Sequence, residues 1–312
     1  MCFLWIGFKR YTIFFRLGII NYMHLQIKIS RLSNFLFFVQ KTNKQTPAGF
    51  NLKNYFPGEN FDLSFYGKSN DKIWKQIEKS IGKERVKQFQ ESVKPMETAF
   101  NSYWRNKAKR LLLCKKYFQN NQPLLQRVIF EIKRLSGIHH FTVAHIPIYF
   151  ISDFTHNDDE IHAWFSWMPK KSFMVVEIPP NFEPRDNSFP IGVLAHEFFH
   201  LMLRKNKNLF SKIGKIAEDN KKLFIKLSEG MPHRLFLEEL LISSFIPEGY
   251  LSKKHFRTKI TTRITKPKSL LAWRKFVAFK LEQTAKAYID NHQRIDEKYL
   301  KDLIKAIKEN TK

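Results

Sequence analysis

Cysteine is almost missing from this chain: among 312 residues there are two, Cys2 and Cys114. That excludes a disulfide framework and any zinc site built on thiolates. A reducing, cytoplasmic compartment is the expectation. Acidic residues are also scarce, 28 against 54 basic ones, for a formal net charge of +26. The imbalance brings nucleic acid, an anionic membrane face or an acidic partner into view. The lysines are scattered rather than gathered in one block, which favours the plainer account, a solvated basic surface. Long apolar runs are absent too. Cys2 to Phe8 is apolar, but Lys9, Arg10 and Arg16 interrupt the pattern short of the roughly 18 residues a bilayer span requires. Positive charge follows this run instead of preceding it, and no small-residue cleavage site is clear, which argues against a signal peptide. Two readings stay open for residues 1–22: an extension ahead of a start at Met23, or a weak anchor on a membrane surface. No glycine loop for phosphate, no serine nucleophile elbow and no DNA-binding signature is present.

What the chain does have is material for a core. Hydrophobic residues make up 43% and include 31 phenylalanines, a soluble globular profile with large aromatic surfaces to bury. His24 to Ser30 alternates as a half-buried strand, and Leu32 to Val39 reads as a helix. Lys41 to Gly58 is a loop. Ile73, Ile77 and Ile81, then Val86 and Phe89, recur at helical spacing. Met96 to Phe118 and Pro123 to Leu135 read as further helices, with Gly137 as a stop. Residues 23–140 thus form a mostly helical region. In residues 141–312 the pattern changes. Pro147 to Ser152, Ala163 to Met168 and Ser172 to Ile178 are β-branched and aromatic and predict strands. Asn181 to Asn187 is a turn segment. Ser188 and Pro190 then open an apolar helix. Arg234 to Ile246 predicts a second helix ended by Pro247 and Gly249, and Ser269 to Asn291 and Asp296 to Glu309 two closing helices.

The apolar helix carries His196-Glu197-Phe198-Phe199-His200. Residues four apart share one helix face, so both imidazoles can address a single ion, for which zinc is the usual choice. Glu197 adjoins the first ligand, where it can take a proton from a metal-activated water and pass it to a leaving group. Two histidines and a glutamate are expensive among Ile191, Val193, Leu194, Phe198, Leu201 and Met202 unless they have partners.

A third ligand is still needed. Glu238 and Glu239 stand in the otherwise apolar second helix, where an unpaired carboxylate is again costly. One of them is expected on the zinc, the other as hydrogen-bond partner to the far nitrogen of a histidine. Tyr250 and His233, close in sequence, are candidate donors to a transition-state oxyanion. For them, a packing tyrosine and a surface histidine are the plainer alternatives. His156 and His162 fall in a polar loop between strands, and His139-His140 has no evident role.

On the motif His196 to His200, a downstream helix glutamate and the strand–helix–helix order, the segment 145 to 251 resembles the gluzincin class of zinc metallopeptidases. The resemblance implies an α+β, zincin-like fold, in which a small mixed sheet packs on the motif helix and a second ligand helix, with additional helical regions. It implies one Zn2+ per chain on His196, His200 and Glu239, with Glu238 as the alternative third ligand, and Glu197 as base. It also implies a peptide or protein substrate paired to the edge strand of the sheet, which would be Ser172 to Ile178. After His200 the chain reads Leu-Met-Leu-Arg-Lys-Asn, without the glycine and third histidine of metzincins. No aspzincin signature is present, and Glu238-Glu239 stands where larger gluzincins often carry Asn-Glu. No individual family is implied. The competing class is a zincin-like protein without catalysis, which binds nucleic acid or an acidic partner through its basic surface.

Overall fold

Pro147–Ser152 (β2) and Phe173–Ile178 (β4) are rich in Ile, Val and Phe, the composition of strands covered on both faces, and nearly every residue in them is buried. The computed structural model describes residues 26–42, 69–138, 146–153, 161–166, 173–179, 182, 189–257 and 267–311. The 1–22 extension, most of the 41–58 loop, His139-His140, His156 and nearly all of the 181–188 turn lie outside these described residues. Two further strands, Gln26–Lys28 (β1) and His162–Ser166 (β3), complete a four-stranded sheet in the order β1-β2-β4-β3. β1 and β4 pair parallel with β2, and β3 pairs antiparallel with β4. The architecture is therefore α+β, mostly helical around a small mixed sheet.

The strand at 173–178 is not an edge: β2 and β3 occupy its two sides, and among the described residues β1 and β3 are the outer strands. Strand order is set by pairing between distant segments, which alternation within one strand cannot report. His162, expected in a loop, opens β3 and pairs in register with Glu177.

Helices cover the sheet. On one face Arg31–Thr42 (α1) brings Phe37 to Tyr149, Ile151, Phe173 and Val175. Asn34 of α1 locks this contact, donating to the Phe150 carbonyl and accepting from the Ser152 amide. α1 also packs against Asn70–Ile81 (α2) and the first half of Lys83–Asn120 (α3) through Phe35, Ile73, Ile77, Phe89 and Phe100. α3 is one continuous helix, although Pro95 lies inside it and the pattern read as separate helices. An interior proline costs about 3 kcal/mol, and burial of Val93, Met96 and Phe100 around it opposes that cost.

The other face carries the larger core. It combines Leu111, Cys114 and Phe118 of α3 with Gln122–Leu135 (α4) and the helices after residue 188. Those are Phe189–Lys205 (α5), Lys207–Asp219 (α6), Lys221–Leu227 (α7), His233–Ser243 (α8), Tyr250–Phe256 (α9), Leu270–Lys280 (α10), Glu282–Asp290 (α11) and Glu297–Glu309 (α12). α6 and α7 are two helices beyond those expected from the sequence; Asn206 caps α6 by accepting from the Leu209 amide, and Leu209, Ile213 and Ala217 keep helical spacing. The single helix expected over 269–291 is two, divided at the buried Leu281. Nothing in its side chain breaks a helix, so packing decides that bend. Among the described residues no helix is long and apolar enough to cross a membrane.

Candidate metal centre

α5 packs against both β3 and α8, so the motif helix contacts that strand and the helix that carries the two glutamates. Its face towards α8 presents His196 and His200, both buried. Their Nε2 atoms lie 3.1 Å apart. Glu239 meets both, with Oε2 3.1 Å from His196 Nε2 and Oε1 3.1 Å from His200 Nε2. Ligand atoms of these three residues all fall within 4.8 Å of one another. Bonds of about 2.05 Å in tetrahedral zinc imply donors about 3.3 Å apart. The donor set, its spacing and its burial fit such an ion.

The far nitrogens are also committed. His196 Nδ1 lies 3.1 Å from the Ile246 carbonyl, to which it donates. His200 Nδ1 lies 2.7 Å from Glu238 Oε1, and Arg204 Nε stands 3.4 Å behind that same oxygen. In each contact Nδ1 faces its partner and Nε2 is turned towards the other two side chains, the arrangement by which hydrogen-bond partners orient an imidazole that is to hold a metal. The adjacent glutamates of α8 thus divide the work: Glu239 bridges the Nε2 atoms and Glu238 braces His200 from behind.

The charges are arranged accordingly. Burial alone would lower the His200 pKa, but the charge of Glu239 and hydrogen bonds to Glu238 and Glu239 outweigh it and raise it to about 10. Burial acts to raise the Glu239 carboxyl, yet the charges of His196 and His200 and their hydrogen bonds hold it well below the usual carboxylate range. Glu197 is different. Burial pushes its carboxyl up, and the charges of His200 and His196 only partly offset the rise.

The carbonyl at Ile246 is delivered by a tight turn after α8. Leu251 N donates to the Phe245 carbonyl, and a side chain at Gly249 would put a Cβ 2.0 Å from the Ser244 carbonyl oxygen. The extended backbone of Gly249 suits any residue, so close approach is what requires glycine there.

Of the two proposed oxyanion donors, His233 sits at the start of α8, where its Nε2 pairs with Glu218 at 2.7 Å. Tyr250 opens α9, partly buried against the large core with Lys286 over its ring. Three groups that sequence reasoning missed complete the surroundings: Arg204, the Ile246 carbonyl and Arg274. Arg204, four residues beyond His200, was within reach of a spacing argument. The other two carry no local signal.

Compared with known proteins, the chain matches no family model, no curated protein and no solved structure.

Proposed function

We propose that this chain is a zinc-dependent hydrolase that cleaves peptide bonds, with one zinc per chain held in a zincin-like arrangement of the gluzincin kind. The observation that carries the reading is the convergence of His196, His200 and Glu239 at 3.1 Å spacings, with Glu197 on the same helix as the two histidines. His196, His200 and Glu239 would hold the ion, which supplies Lewis acidity towards a substrate carbonyl and a water molecule. Three protein ligands leave a fourth position for substrate or solvent.

Glu197 takes the proton of the attacking water and delivers it to the departing amine nitrogen. A carboxyl whose pKa is raised by burial is a stronger base than an exposed one, which suits it to that exchange. Substrate would add a strand along β3, which with β1 is one of the two outer strands among the described residues. β3 is antiparallel to its neighbour, only partly buried and packed on the motif helix. Backbone pairing there would bring a peptide past the centre independently of its side chains.

Glu197→Gln tests the mechanism. The variant is expected to retain one zinc per chain while hydrolysis of an unstructured protein substrate disappears. Turnover that survived this change would overturn the assignment of the base.

A further inference from the structure

Arg274 reaches the centre from α10, a helix that the motif does not include, and its three guanidinium nitrogens all address one short segment. Nε donates to Ser243 Oγ at 2.8 Å. Nη2 pairs with Glu248, at 3.0 Å from Oε1 and 3.3 Å from Oε2. Nη1 faces Glu239 Oε2 at 4.0 Å. Ser243 stands one helical turn beyond Glu239 on α8, hence on the same face, and Glu248 lies in the turn that follows. The guanidinium is planar and rigid. Once Ser243 and Glu248 fix two of its edges, the direction of the third is decided. That third edge faces, across 4.0 Å, the oxygen of Glu239 that also approaches His196.

We propose that Arg274 is a positioning residue of the metal centre, fixing the Glu239 carboxylate in the orientation that lets it ligate together with His196 and His200. The inference rests on the reading of the centre as a metal site and adds to it a residue from the C-terminal helices. Glu239 is mostly buried, with one oxygen 3.1 Å from His196 Nε2 and the other 3.1 Å from His200 Nε2. Arg274 places a positive charge beside Oε2 and is itself held against Ser243 and Glu248. A lysine cannot replace it, because a single ammonium cannot serve Ser243, Glu248 and Glu239 together. If Arg274 served only to neutralise Glu248, its loss would change stability and leave the metal untouched.

The test uses the full metal-free chain, with zinc affinity measured by chelator competition and ligand geometry read from the visible spectrum of bound cobalt(II). Arg274→Met is expected to weaken zinc about 10- to 100-fold, as loss of a group supporting a ligand does, and to change the cobalt spectrum. Arg274→Lys should fall between the two. It stands in as the deciding variant if Arg274→Met does not fold. Wild-type affinity and an unaltered cobalt spectrum in the folded variants, whatever their thermal midpoints, would overturn the proposal and leave the metal site standing. A wild-type chain that binds neither ion would overturn both.

Discussion

His200 and Glu238 are joined Nδ1 to Oε1 at 2.7 Å, with both side chains almost sealed from solvent. A buried carboxylate is kept only where it is paired, and here the partner is the imidazole whose other nitrogen faces the triad. This separates the roles of two neighbouring glutamates that look alike along the chain.

If Glu239 is the third ligand, as proposed, Glu239→Ala should abolish stoichiometric zinc binding. Glu238→Ala should still bind one zinc, with affinity lower by about 10- to 100-fold. Zinc content after dialysis, together with chelator competition, distinguishes them. Retention of tight zinc by Glu239→Ala would show that another group is the third ligand.

Gly249→Ala places a methyl group against the Ser244 carbonyl, where the space is 2.0 Å. The turn from Ser244 to Gly249 must open, which moves the Ile246 carbonyl away from His196. The expected outcome is a loss of stability of about 1–3 kcal/mol together with weaker zinc binding. Denaturant unfolding and zinc titration of the same variant would show the two losses side by side.

Asp296 caps α12, accepting from the Tyr299 amide at 2.9 Å and from the Tyr288 hydroxyl at 2.6 Å. Burial acts to raise its pKa, but these hydrogen bonds, with those from nearby amides, bring it below the ordinary value. A depressed folded pKa means stability that is present above the unfolded pKa of about 3.9 and is lost as pH falls through the folded value. Asp296→Ala should cost about 1 kcal/mol at neutral pH. Asp296→Asn should keep much of the cap and show less acid-induced loss than wild type in urea midpoints taken from neutral pH downwards.

Cys114 is wholly buried, and burial pushes its thiol up to about 12. Thiolate is the reactive form, so a Cys2→Ser chain should give almost no reaction with a disulfide reagent at mildly alkaline pH. One thiol should appear on unfolding. Fast labelling of the folded chain would contradict this burial.

The imidazole pair was legible because its cause is local. Helical geometry alone sets residues 196 and 200 on one face, and apolar neighbours made the polar residues conspicuous. The strand segments at 147–152 and 173–178 were readable for the same reason, since their composition matches the environment they occupy. A helix broken at Leu281 and one continued through Pro95 were not legible. In both places packing against distant residues outweighs the preference of the residue itself.

Relations across the chain were decided by the fold. Alternation shows that a segment is a strand but not which neighbours it pairs with, and so β3 rather than the strand at 173–178 lies outermost. Likewise, two adjacent glutamates on one apolar helix have the same claim on a metal until α8 is docked against α5. Docking turns Glu239 to the two Nε2 atoms and Glu238 to the back of His200. The Ile246 carbonyl and Arg274 enter only with that docking, since hydrogen bonds and ion pairs act over a few ångströms of space, whatever the distance along the chain.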